Sequence, residues 1–159
     1  MARSLFGIAF AAAMIVSAPW PAASAPAASD FSETTSPAID ESQLLQAAET
    51  AAKGGDAEGA VQLYQSAIIY APGDPVPYER LAEFYVHTGQ AELAHQFFAL
   101  ALDVQPAYPP ALQGLALLNL AAGDRAGAQR QHEILMRACG ATCPETAQVE
   151  KALNLGRAP

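Results

Sequence analysis

Few residues of this chain have obvious chemical capacity: two cysteines, three histidines and a surplus of carboxylates. Cys139 and Cys143 flank Gly140, Ala141 and Thr142. Two sulfurs this close can form a disulfide, act as a redox couple or supply half of a zinc site. A zinc site needs about two more ligands, and no His or Cys pair offers them at a recognisable spacing. Redox motifs of the Cys-x-x-Cys kind belong to a βαβ setting, whereas here the spacing is longer and the pattern shows no strands. A structural disulfide across a turn at Gly140 is the reading favoured over redox activity, and it contributes only about 2 kcal/mol for so small a loop. His87, His95 and His132 are scattered, without a Ser, Cys or Asp partner at a spacing that suggests a nucleophile or ligand set. No catalytic residue, metal or cofactor is expected, and the chain is not expected to be an enzyme.

The elements that position these residues recur. Gly55, Gly89 and Gly123 stand 34 residues apart, with Ala60, Ala94 and Ala128 in step. Tyr64, Phe98 and His132 form a further column, as do Pro72, Pro106 and Gly140. A fixed period of this length means stacked copies of one supersecondary unit. It also explains Gly54-Gly55-Asp56 as a repeat turn rather than a phosphate loop. Within a unit, Tyr78, Leu81, Ala82 and Tyr85 give one apolar helical face, and Gly89 ends that helix. A second segment through Leu93, Ala94, Phe97, Phe98, Ala101, Leu102 and Val104 stops at Pro106. Small residues at Ala48, Ala82 and Ala116, with Ala60 and Ala94, let paired backbones approach. One such pair cannot bury both its faces, so the core forms only on stacking.

Gly89, Ala94, Phe98, Ala101 and Pro106, preceded by Tyr78, Leu81, Ala82 and Tyr85, resemble a well-formed tetratricopeptide (TPR) repeat. Residues 41–74 match less fully, through Leu44, Ala48, Gly55, Ala60, Tyr64, Ala67 and Pro72. Residues 109–142 keep Leu112, Leu115, Ala116, Gly123 and Ala128 but depart at Asn119, His132, Leu135 and Gly140. The resemblance implies an all-α fold: three antiparallel helix-pair repeats (41–74, 75–108, 109–142) in a right-handed superhelical array. Residues 143–159 then supply a capping helix and tail. Thr142 is expected as its N-cap, Pro144 near its start and Glu145 in its first turn. Ala147, Val149, Ala152, Leu153 and Leu155 would form its apolar side.

Residues 1–25 read as a secretory signal peptide. Arg3 gives a positive start, and Leu5 to Val16 are too short to span a bilayer comfortably. Ala23-Ser24-Ala25 is the most obvious cleavage motif, although it leaves Pro26 first; cleavage after Ser24 or Ala27 fits as well. The competing reading is a retained anchor on an envelope assembly subunit. Residues 26–40, rich in Pro, Ser and Thr, are expected to form a disordered tether. Trp20, the single tryptophan, lies in the leader. Export, with the periplasm as destination or secretion beyond it, agrees with a disulfide.

The resemblance also implies a partner site in the concave groove lined by first helices. Its candidates are Leu45, Glu49, Ala52 and Lys53; Val76, Glu79, Glu83, Val86 and His87; and Gln113, Leu117 and Leu120. Three glutamates make the near half acidic, and two leucines make the far half apolar. The basic and Asn residues with which some relatives clamp a terminal carboxylate are missing, Lys53 being the only cation in the set. The glutamates read equally as a solvated helix face, and Leu117 with Leu120 can instead pack on the C-terminal helix. Net charge is −8, passing to −9 on loss of Arg3. That disfavours nucleic acid and anionic membrane surfaces, so no nucleic-acid partner and no direct membrane binding after leader removal are expected. A basic or apolar protein or peptide fits the groove better.

Overall fold

The computed structural model describes residues 40–155. The expected leader lies outside the described residues, as do the tether up to residue 39 and the last four residues. Seven helices follow one another: α1 (Glu41–Lys53), α2 (Ala57–Tyr70), α3 (Val76–His87), α4 (Ala91–Val104), α5 (Pro109–Ala121), α6 (Arg125–Ala138) and α7 (Pro144–Leu155). No strand occurs among the described residues. The helices pack as α1 with α2, α3 with α4 and α5 with α6, each pair then resting on the next.

The turn inside each pair follows from one residue type. Gly55, Gly89 and Gly123 have φ of 83°, 75° and 82°, a left-handed conformation that costs side-chain-bearing residues about 1–2 kcal/mol. The residue after each glycine donates its N–H back five residues, Asp56 to Ala51, Gln90 to Tyr85 and Asp124 to Asn119. These bonds satisfy carbonyls that the helix end leaves free. Asp56 and Asp124 then cap the following helix, accepting from Gly59 N–H at 2.9 Å and Gly127 N–H at 2.8 Å. In the middle unit Gln90 stands at the same place without a side-chain cap bond.

Ala48, Ala82 and Ala116 on the first helices, and Ala60, Ala94 and Ala128 on the second, are fully buried. With only a methyl group at each crossing, helix backbones come close enough for Tyr64 and Phe98 to fill the spaces between pairs. Burying a ring of this size contributes about 2–3 kcal/mol.

α7 begins at Pro144, 34 residues after Pro110 in α5, so it stands where the first helix of a fourth unit would. It lies on both α5 and α6, and against α5 far more closely than α5 lies against α3. Thr146, Val149 and Leu153, spaced by three and four, are its buried face. Ala147, expected on that face, is exposed. Thr142 is not the cap either: Cys143 directly precedes Pro144 and its carbonyl accepts from Ala147 N–H. The structure pairs Cys139 with Cys143 across Gly140, whose φ is 80°, with Cα atoms 5.6 Å apart. No described helix is long and apolar enough to cross a membrane.

Candidate functional site

Two cavities open between successive first helices, and the repeat makes them equivalent. The first, about 560 Å³, lies between α1 and α3 with Tyr64 of α2 in its lining. The second, about 310 Å³, lies between α3 and α5 with Phe98 of α4 in the matching place. A shift of 34 residues carries Glu49 to Glu83, Ala52 to Val86, Lys53 to His87 and Tyr64 to Phe98. On the opposite wall it carries Arg80 to Gly114, Glu83 to Leu117, Phe84 to Leu118 and His87 to Ala121. Glu83 and His87 line both cavities, so the two adjoin.

The exchange of Arg80 for Gly114 decides the shape of the second cavity. A Cβ at Gly114 would collide with the Phe98 ring, so only glycine lets that ring lie directly beneath α5. Glycine inside a helix costs about 0.5–1 kcal/mol relative to alanine, and here the cost secures an aromatic surface along the cleft. Beside it, Leu117 is 38% exposed and Val86 43%.

The first cavity carries charged side chains on its wall. Arg80 reaches Glu83 at 3.1 Å and Glu79 at 3.5 Å, and Lys53 reaches Glu49 at 3.7 Å. Glu79 does not face the groove as expected; it is only 4% exposed. Burial, with the neighbouring Glu83 carboxylate, pushes its carboxyl up to about 8, against the pull of Arg80. It is therefore largely protonated at neutral pH. The same surroundings raise two phenols: Tyr64, chiefly by burial and then by Glu49, and Tyr108, pushed up to about 12 by burial and then by Glu79.

Of the other expected groove residues, Glu49, Lys53 and His87 line the first cavity, while Val86, Gln113 and Leu117 line the second. Gln113 also donates to Gln148 of α7 at 2.7 Å. Leu45 packs into the core, and Val76 lines neither cavity. Leu120 packs with Val149 and Leu153, so α7 takes one of the two leucines and leaves Leu117 open. Arg80, Tyr64, Phe84, Phe98 and Gly114 escaped the sequence reading because it drew the groove from one face of the first helices. The column of Tyr64 and Phe98 was legible, but as core.

His132 occupies the next place in that column. There His132 Nε2 is buried without a partner among the described residues. Cys139, Cys143 and Glu145 gather their ligand atoms within 4.8 Å. A bonded sulfur pair, however, carries no thiolate for a metal. The Glu145 carboxylate rests 2.8 Å from Cys143 Sγ, and Thr146 Oγ1 lies 3.6 Å from Cys139 Sγ.

Comparison with known proteins agrees with this architecture. Residues 51–106 match the tetratricopeptide repeat family. No curated protein sequence matches the chain. Among solved structures, the Sgt2 TPR domain from Aspergillus fumigatus is similar at a TM-score of 0.63 and 24% identity, over 73% of this chain and 78% of that one. The Yersinia enterocolitica type III secretion chaperone SycD, in complex with a peptide of the translocator YopD, gives 0.62 and 20%, over 72% and 89%. The first TPR of Spaghetti (RPAP3), bound to the HSP90 peptide SRMEEVD, gives 0.63 and 17%, over 75% and 97%. Residues 51–106 thus match the tetratricopeptide repeat family, and the described residues have the fold of a TPR domain.

Proposed function

We propose that the chain is a non-catalytic interaction module that binds a protein or peptide in the groove between α1, α3 and α5. The observation that carries this reading is the pair of equivalent, solvent-open cavities one repeat apart. Surface-lining side chains there include Val86 and Leu117, which a folded monomer gains nothing by exposing together. The peptide complexes of SycD and RPAP3 support the same use of a similar fold. The module works in the cell envelope, after export on residues 1–25. The leader-like pattern of Arg3 and Leu5 to Val16 supports that placement, as does a cysteine pair positioned for a disulfide.

A photo-crosslinking amino acid placed at Leu117 should capture a partner in cells. The same probe at Leu100, exposed on α4 outside both cavities, should not. Equal capture at the two positions would remove the groove from consideration.

A further inference from the structure

The cysteine pair between α6 and α7 lines neither cavity of the groove, and its surroundings are more than a structural staple requires. The turn that carries it is closed by its own backbone. Cys139 N–H donates to Leu135, Cys143 N–H donates to Gly140, and the Cys143 carbonyl accepts from Ala147 N–H. α7 is also fixed at points away from the sulfurs. Val149 and Leu153 are buried, Gln113 donates to Gln148, and the Arg125 guanidinium donates to the Leu153 carbonyl. A disulfide stabilises mainly by closing a loop in the unfolded chain, and less so for a smaller loop. Here the sequence separation is only 4, so the bond adds little to a turn that is already held.

The polar atoms around the pair suit thiols better than a disulfide. Glu145 Oε2 lies 2.8 Å from Cys143 Sγ, and Thr146 Oγ1 lies 3.6 Å from Cys139 Sγ. A disulfide sulfur carries no hydrogen, so Glu145 has nothing to accept from Cys143 while the bond stands. A thiol does carry one, and at Cys143 it meets a carboxylate at hydrogen-bonding distance. Thr146 is fully buried, and its hydroxyl can exchange a hydrogen bond with a Cys139 thiol. Stabilising the reduced form makes a disulfide easier to reduce.

We propose that Cys139 and Cys143 form a reversible thiol–disulfide site, open to small thiols, whose reduced form is held by Glu145 and whose backbone serves both states. Cys143 is only 9% exposed, whereas Cys139 is half-buried, so an incoming thiolate attacks Cys139 Sγ. The S–S bond breaks, Cys139 passes into a mixed disulfide, and Cys143 leaves as a thiolate that takes a proton from water. A second thiolate then attacks the incoming sulfur of the mixed disulfide. Cys139 is released and protonated in turn. Two thiols are thereby oxidised to one disulfide, and the protein pair gains two electrons and two protons.

The test equilibrates the full chain with reduced and oxidised glutathione at fixed pH, traps free thiols by alkylation after an acid quench, and counts them by intact mass. The parent should pass from disulfide to dithiol across the glutathione series, with its helical circular dichroism unchanged. Glu145→Ala should lower the equilibrium constant for reduction about tenfold, and Thr146→Val should lower it by less. A disulfide that persists in reduced glutathione alone would overturn the proposal, as would reduction accompanied by loss of helix; either marks a structural staple. An equilibrium constant unmoved in Glu145→Ala would overturn it as well, because the carboxylate would then not distinguish the two states.

Discussion

The cavity between α1 and α3 and the cavity between α3 and α5 occupy the same place in the repeat, yet one is walled by Arg80, Glu83 and Phe84 and the other by Gly114, Leu117 and Leu118. Their backbones are set by the same buried alanines and the same glycine turns. Chemistry along the groove therefore varies without disturbing the scaffold. In the first cavity a long side chain stands over the aromatic position and brings charge with it. In the second, the side chain is gone and the ring itself becomes surface. At the third place in the series stands His132, whose Nε2 is buried without a partner among the described residues.

The difference can be broken most severely at Gly114. If its only task were to relax the helix, Gly114→Ala would stabilise the protein by about 0.5–1 kcal/mol. Because the added Cβ meets the Phe98 ring, the expected result is a loss of about 1–3 kcal/mol from overpacking. Denaturant unfolding measures it. Trimming the ring in Phe98→Leu should restore part of that loss in the double variant, giving a coupling between the sites. Additive effects would mean that the ring moves aside freely, and the second cavity would then owe its shape to something else.

This also marks how far the sequence could be read. The turns were legible because Gly55, Gly89 and Gly123 each meet a conformational demand that other residues satisfy poorly. The stacking alanines were legible for a similar reason of size. Glu79 was not. It shares a helix face with Glu83, four residues on, and the face alone places both in the groove. Burial at the first turn of α3 depends on what leans over it from outside the helix, and the tie of Glu79 to Tyr108 crosses 29 positions of sequence. Arg80 and Gly114 share a column that the repeat pattern leaves free, so neither stood out. Their meaning appears only when the aromatic residue of the adjoining second helix is placed between them. For α7, Thr146 rather than Ala147 faces inward because it lies three residues before Val149 and so shares the face of Val149 and Leu153, whereas Ala147 lies two before Val149.

The smallest effect concerns the charge that distinguishes the first cavity. Glu79 has a folded-state pKa raised from 4.5 to about 8, so between those values the native state holds a proton that the unfolded chain has lost. Stability from this group is thus fullest in acid and declines as pH rises through that window, the reverse of a salt-bridged carboxylate. Glu79→Gln should flatten the decline, leaving the variant more stable than the parent at about pH 9 by at least the ~1.4 kcal/mol that one pKa unit represents. Glu83→Gln should act more subtly. It removes the second-largest cause of the raised value while burial remains, so the window should shorten from its alkaline end. At neutral pH the fold should change by less than about 0.5 kcal/mol, as for other half-exposed polar substitutions. Thermal unfolding followed across pH distinguishes the two variants. If Glu83→Gln left the alkaline limb unchanged, the two carboxyls would not sense each other, and Glu79 would owe its raised value to burial alone.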